Sequence, residues 1–488
     1  MQSIGLNSQT DNRETIVVRK ISDAWIGIQA PQSVCYELRE YFSFRVNGCE
    51  FMPKYQDGTW DGYIRVFDGW RKRMPAGHVW SLADFGEKFG YDVEFHDGLT
   101  IQDELSVHEA ENFCNSLKLP FKPHDHQLHA FISLVQDRRG LLLSPTSSGK
   151  SMIAYLLCHW YANKKILIIV PTKNLVSQMK TDFIDYGADS DSIYRRKVDK
   201  NDKARITVTT WQGIQRLTNK FYEDYDVIIG DEAHGFKAKS LSKIMENAEN
   251  VEYRFGMTGT LDGEEVNEMI LVGHFGRVRQ MITTKEMIDR GLASKFKVDA
   301  LILRHSEEER RKMFGSKYQD EVKYILEHEG RNRFVKNLAL SLEGNVLVMF
   351  NRIEHGEALY ESMKGQGKDV YLVHGGVDAE DREAIRGFME KNSNCITVAS
   401  AGTFSTGANV RNLHHIIGCG LGKSRIRVYQ TIGRSLRLAK EKSLAKMYDI
   451  ADDIRWKSHT NYTLIHFGER LKMYMEEEFE YKIYNINI

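Results

Sequence analysis

The sequence predicts an α/β protein in which two parallel-sheet lobes follow one another and a small α+β domain precedes them. Three observations carry this expectation. From Pro120 onward, short β-branched runs alternate with longer amphipathic segments: LLLSP, KILIIVP, RITVTT, YDVIIGDE and YRFGMTGT, then NVLVMF, DVYLVHG, CITVAS and HHIIGCG. Strand then helix, repeated, is the signature of a parallel sheet covered on both faces. Up to Lys118 the texture differs, with many aromatics and with turns at Asn47-Gly48, Asp57-Gly58, Asp61-Gly62 and Asp68-Gly69 between short alternating runs such as YIRVF. Such spacing predicts hairpins. Finally, 488 residues correspond to about three domains of roughly 150 residues each. The expected boundaries are 1–118 for the small domain, 119–297 for the first lobe and 298–488 for the second.

Each element follows from its local pattern. In the small domain, PQSVCYELREYF and SLADFGEKFG read as short helices, and the sheet ends near YDVEF. KFKVDALILRH carries the chain between the lobes. Glu307 to Leu342 is rich in charge and reads as a solvated helical pair. Near the end, Leu464, Phe467, Leu471 and Tyr474 share one helical face, which predicts a C-terminal helix packed on the second lobe.

Composition excludes several classes. Apolar residues make up 42% and charged residues 27%, which suits a globular chain that buries a large core without staples. Sixty-seven basic residues balance 67 acidic ones, so a nucleic-acid binder of this composition must segregate its charge locally. The six cysteines, Cys35, Cys49, Cys114, Cys158, Cys395 and Cys419, form no C-x-x-C pair. That pattern speaks against a zinc site or disulfide framework and fits a reducing compartment. The polar start MQSIGLNSQTDNRE and the absence of a long apolar run lead to the expectation of a cytoplasmic protein without membrane contact.

The chemistry is concentrated in a few motifs. LLLSPTSSGKS (Leu141–Ser151) has the tail of a phosphate-binding loop, although Ser144 stands where the strict pattern has glycine. A strand feeds a tight turn there, and a helix begins just after it, which is the arrangement that aims backbone N–H groups at an anion. Thr146, Ser147, Ser148 and Gly149 would form the cradle, Lys150 would reach the outer phosphates of ATP, and Ser151 would ligate Mg2+. The second motif, YDVIIGDEAH (Tyr225–His234), ends an apolar strand in two carboxylates. Asp231 can hold magnesium while Glu232 polarises an attacking water.

A phosphate loop, Asp-Glu-Ala-His, MTGT (Met257–Thr260) and QTIGRSLR (Gln430–Arg437), in this order, resemble the motor motifs of superfamily 2 helicases. The resemblance spans Phe121 to Arg437 and implies two RecA-like motor lobes. It also accounts for Ser144, because relatives often lack that first glycine. By this likeness Gln127 in FKPHDHQ would contact adenine, and His234, Thr258, Gly259, Thr260 and Gln430 would couple ATP turnover to movement. Arg434 and Arg437, three apart on one helical face, would act as arginine fingers. Pro171, Thr172, Thr210, Trp211 and Gln212 of the first lobe resemble strand-gripping positions, as do Asn351, His374, Gly375, Ser400 and Thr406 of the second. Gly407 falls on the nucleotide side, and Asn409 departs from the aspartate of many relatives.

Within the superfamily, segments outside the motor narrow the resemblance. ELREYFSF, FMPKYQDGTWDGYIRVFD, FGYDVEF and HFGERLKMY are similar to a bacteriophage recombination and repair branch. That likeness implies action on displacement loops, RNA–DNA loops, Holliday junctions and stalled forks; a monomer is expected. Only about fifty residues follow Arg437, too few for the accessory domains of DEAH RNA helicases. The alternatives are an RNA-directed helicase or a restriction-type DNA translocase. The latter lacks a convincing nuclease element, since Glu321-Val322-Lys323 lies in a helical stretch. In the small domain, Trp60, Tyr63, Phe67 and Trp70 interleave with Lys54, Arg65, Arg71, Lys72 and Arg73. Aromatic faces beside cations are ingredients of strand binding, and Arg71, Lys72 and Arg73 are the first candidates for phosphate contact.

Overall fold

The computed structural model describes residues 14–197, 199, 204–392, 394–402, 412–438 and 444–488, apart from the side chains of Ala379, Glu383 and Arg434. Contacts divide the chain into two compact units. One comprises the chain up to Leu143 with Ser151–Thr258 and Gly263–Met281; the other comprises Ser144–Lys150, Gly259–Asp262 and Ile282–Ile488.

In the first unit, β1 (Thr15–Lys20), β2 (Trp25–Gln29), β5 (Arg73–Pro75) and β6 (Asp92–Phe95) form a mixed four-stranded sheet in the order β5-β2-β1-β6, and β3 (Ser43–Arg45) pairs with β4 (Tyr63–Arg65). Burial alternates along β1 and β2, the period of two expected when one face meets a core and the other meets water. Helices Gln32–Tyr41 and Val79–Phe89 cover the inner face with Leu38, Leu82 and Phe85, and Phe42, just past the end of the first helix, joins them. Both helices, and the sheet end at YDVEF, lie where the sequence predicts them.

The same unit holds a seven-stranded sheet in the order β13-β7-β12-β11-β8-β10-β9. Its strands are β7 (Arg139–Leu143), β8 (Ile166–Val170), β9 (Ile193–Arg195), β10 (Ile206–Thr210), β11 (Val227–Asp231), β12 (Tyr253–Thr258) and β13 (Val278–Gln280). Every pairing is parallel. The central strands are buried along their length, so their sequences run apolar throughout rather than alternating. The small domain is joined closely to this lobe. Asp23 N donates to Glu249 O at 2.8 Å, Arg139 donates to the Asp23 carbonyl at 3.0 Å, and Asn47 bonds Glu264. A side chain at Gly77 would overlap the Val272 carbonyl, so glycine permits this close approach.

The second unit contains a second all-parallel sheet, in the order β16-β17-β15-β18-β19-β14-β20. Its strands are β14 (Lys295–Arg304), β15 (Val346–Phe350), β16 (Asp369–Val373), β17 (Cys395–Ser400), β18 (His415–Gly418), β19 (Leu444–Asp453) and β20 (Glu480–Asn487). The second unit therefore takes up the chain at Ile282, earlier than the expected boundary of 297, and KFKVDALILRH is a strand of its sheet rather than a connection. The C-terminal helix spans Tyr462–Glu476 and packs as expected, with Phe467 beside Ala300 and Ala451. Beyond it, β20 adds an edge strand that the sequence reading did not foresee.

Glu307–Leu342 departs from the expected solvated pair. It forms three helices, Glu307–Lys312, Tyr318–Glu327 and Glu329–Ser341, and two of their charged residues are buried. Arg331 donates to Asp452 at 2.9 Å and to the Cys419 carbonyl at 2.7 Å. Glu321 accepts from the backbone N–H groups of Tyr462 and Thr463 at 2.9 and 2.7 Å. A carboxylate at the N-terminus of another helix satisfies donors that would otherwise be orphaned. Glu321 is thus a structural cap.

Candidate nucleotide and nucleic-acid site

Parallel strand order brings the motor motifs of the first lobe to one edge. The register aligns Thr258 with Leu143, Asp231 with Met257, and Thr210 with Val170. The segments following β7, β12, β11, β8 and β10 therefore all leave from the carboxyl end of the sheet, the edge at which open α/β sheets bind ligands.

The loop Ser144–Lys150 starts immediately after β7, and the helix Lys150–Trp160 continues from it. Ser147 and Gly149 adopt φ of 72° and 84°. Left-handed residues of this kind turn successive amides toward one concavity, the geometry of an anion nest. Ser144 Oγ donates to Ser148 Oγ at 2.6 Å, so the serine in the glycine position closes the turn with its own hydroxyl. Lys150 Nζ donates to the Ser144 and Pro145 carbonyls at 3.0 and 3.2 Å, and a Cβ on Gly259 would lie 3.7 Å from that nitrogen. The ammonium is held against its own loop, with Thr146 and Gly259 beside it. Gly433, on the helix Arg425–Ser435 of the same unit, approaches Thr146 so closely that a Cβ would collide with its side chain. The sequence reading did not single out Gly433; its place inside QTIGR was the available signal.

Ser151 Oγ lies 2.9 Å from the Tyr186 hydroxyl, a partner 35 residues away that no motif spacing points to. At the end of β11, Glu232 has φ 49°, an uncommon conformation for a residue with a side chain, and it opens the turn Ala233–Lys237. His234 Nδ1 lies 3.3 Å from Glu232 Oε2 and 3.0 Å from Thr258 Oγ1. The Asp-Glu-Ala-His segment and the Thr-Gly-Thr segment are therefore tied by one imidazole. Ser151 and Asp231 offer only oxygen donors, a set that fits a hard divalent cation such as Mg2+.

The remaining expected positions fall as follows. Gln127 is buried, and its Oε1 accepts from His124 N at 2.8 Å, capping its own helix Asp125–Asp137. Pro171 follows β8, and Thr172 caps the helix Lys173–Asp185. Thr210 ends β10, Trp211 is half-buried and Gln212 is exposed. In the second lobe Asn351, His374, Gly375 and Ser400 stand at the carboxyl ends of β15, β16 and β17, and Asn351 donates to the Gly420 carbonyl. Thr406, Gly407 and Asn409 lie outside the described residues. Gln430 and Arg434 belong to the helix Arg425–Ser435, whereas Arg437 lies beyond its end. The expectation of two arginines on one helical face is corrected accordingly: the helix stops at Leu436, whose carbonyl accepts from Ser294 N at 2.7 Å while that of Arg437 accepts from Ser294 Oγ at 3.0 Å. Arg71 and Lys72 are exposed; Arg73 stacks 4.2 Å over the Trp25 ring.

Comparison with known proteins finds relatives along nearly the whole chain. The family described as "DNA helicase UvsW, N-terminal" matches residues 16–96, "Type III restriction enzyme, res subunit" matches 118–263, and "Helicase conserved C-terminal domain" matches 330–439. The ATP-dependent DNA helicase uvsW of Enterobacteria phage T4 is 34% identical over 95% of this chain and 98% of its own. A DNA 3'-5' translocase XPB2 of Sulfurisphaera tokodaii is 24% identical over 43% of this chain and 48% of its own. The crystal structure of T4 UvsW superposes with a TM-score of 0.53 at 32% identity, covering 97% of this chain and 99% of that one. Three successive family matches, and likeness along nearly the whole chain, leave one conclusion: the chain belongs to the UvsW family of ATP-dependent DNA helicases.

Proposed function

We propose that this helicase acts on branched DNA, unwinding displacement loops and RNA–DNA loops, migrating Holliday junctions and remodelling stalled forks during phage recombination, repair and replication. The observation that carries the reading is the likeness to T4 UvsW, which runs through the small N-terminal domain as well as the motor. The motor motifs alone would leave the substrate open.

The roles follow from the chemistry of each position. Lys150 exchanges its loop carbonyls for the outer phosphates of ATP, and the amides of Ser147 to Gly149 face the same anion. Ser151 and Asp231 would hold Mg2+, which would supply charge neutralisation to the phosphates. Glu232 accepts a proton from the attacking water. Arg434 and Arg437 stabilise charge on the transferring phosphoryl group, and Gln430, on the helix of Arg434, helps couple turnover to movement. His234 and Thr258, with Gly259 and Thr260, relay the state of the nucleotide to the strand-end loops. Pro171, Thr172, Thr210, Trp211, Gln212, Asn351, His374, Gly375 and Ser400 hold the DNA backbone, and Arg71, Lys72 and Arg73 add phosphate contacts from the small domain.

Lys150→Ala is expected to abolish ATP turnover while leaving the fold and much of the DNA affinity in place. Steady-state hydrolysis with single-stranded DNA, forked DNA, junctions and RNA as stimulators tests the whole reading. Unchanged hydrolysis in the variant refutes the site, and stimulation by RNA alone refutes the DNA role. A nuclease-bearing restriction motor finds no support in Glu321-Val322-Lys323, because the Glu321 carboxylate is spent on capping a helix.

A further inference from the structure

Trp70 is the most exposed large apolar side chain among the described residues, at 93% accessible, while Phe67, three positions earlier, is fully buried. An indole in water forgoes the burial that normally makes tryptophan a core or interface residue. The turn that carries it is fixed on both legs. Asp68 Oδ1 accepts from the backbone N–H groups of Trp70 and Arg71 at 3.1 and 3.0 Å. Asp68 and Arg73 exchange backbone hydrogen bonds of 2.9 and 3.3 Å, and Ile28 N donates to the Lys72 carbonyl at 2.8 Å. Phe67 anchors one leg in the core and Met74 the other. The ring therefore projects from a rigid support, with little ordering left to do on binding.

Its surroundings are cationic. Arg71 and Lys72 are exposed beside it, and the stem of Arg39 packs against Gly69. The carboxylate of Asp68 is engaged by the turn amides and by Arg71 at 3.4 Å. An aromatic face between cations suits a polyanion that also offers π-faces, namely an unpaired or branch-point nucleotide. In continuous duplex each base face is covered by its neighbours, so only single strands, ends and branch points can accept the ring.

We infer that Trp70 stacks on the open base face at a DNA branch point, with Arg39, Arg71 and Lys72 on the flanking phosphates, and so lets the small domain distinguish branched from continuous DNA. This inference rests on the branched-DNA reading above. The test measures affinity of the full chain for a fork, a single strand and a relaxed closed-circular duplex, for the parent, Trp70→Ala and Trp70→Phe. Trp70→Ala is expected to weaken fork and single-strand binding by about 5- to 150-fold, to leave closed duplex binding as it was, and to keep the parent's melting temperature. Trp70→Phe should retain most of the affinity. The fluorescence of 2-aminopurine at the branch point should respond to the parent and not to Trp70→Ala. Equal losses on all three DNAs, or fork binding like the parent's, overturn the inference; so does unchanged DNA binding accompanied by loss of a protein contact. If the parent itself binds fork and closed duplex alike and its ATPase ignores DNA, it is the functional reading that falls.

Discussion

Glu232 combines a left-handed backbone with a carboxylate 3.3 Å from an imidazole. A conformation of this kind costs on the order of 1–3 kcal/mol and survives where the surrounding structure enforces it. Here β11 and the turn Ala233–Lys237 do so, fixing where the carboxylate starts. Glu232→Gln keeps shape and backbone demand but removes the proposed base. DNA-stimulated ATP turnover should fall by about 10²- to 10⁴-fold, with an unchanged circular dichroism spectrum and melting temperature; turnover near the parent's would show that Glu232 is not the base. At this scale the motifs propose Lys150, Ser151, Asp231 and Glu232, because phosphate chemistry selects residues by type. Their partners were not legible. Tyr186 meets Ser151, and Gln127 turns back on His124, through folding alone.

Among the elements, the C-terminal helix shows how buried charge secures an assembly. Arg470 donates to Asp449 through Nε and Nη2 at 2.9 and 2.8 Å, and through Nη1 to the Leu421 carbonyl at 2.6 Å. Tyr474 donates to the same carboxylate at 2.9 Å. Removing one partner strands the other charge in the interior, so Arg470→Ala should cost about 3–5 kcal/mol of stability. Urea unfolding of the full chain measures it; a loss near that of an exposed arginine would contradict the role. The helix itself was readable from Leu464, Phe467, Leu471 and Tyr474, because an apolar stripe at helical spacing is a local pattern. Arg331 and Glu321 were not. Each looks like a solvated charge in sequence, and only the β19 carboxylate of Asp452 and the N-terminus of a distant helix explain their burial.

Across the first unit, two histidines mark where the small domain meets the first motor lobe. His78 and His274 are buried, and burial pushes their pKa values from 6.5 down to about 4 and about 3. The unfolded chain therefore binds protons first as pH drops. Stability from this joint is complete above the unfolded value of 6.5 and declines as pH falls toward the folded values, by about 2 kcal/mol per histidine at pH 5. The melting temperature should fall between pH 7 and pH 5, and His274→Phe should flatten that fall. A parent profile that stays level over the interval would refute the linkage.

The sequence by itself determined the α/β architecture and the order of the motor motifs, and it named the residue types proposed to handle phosphate. Those features rest on local periodicity and on chemistry that few side chains can perform. Tertiary structure decided the rest. It placed β14 and β20 in the second sheet, buried Arg331 and Glu321, ended the helix before Arg437 and left Trp70 in water while Phe67 went to the core. Each of these depends on partners far along the chain, and a burial pattern set by distant contacts leaves no short-range trace in the residues themselves.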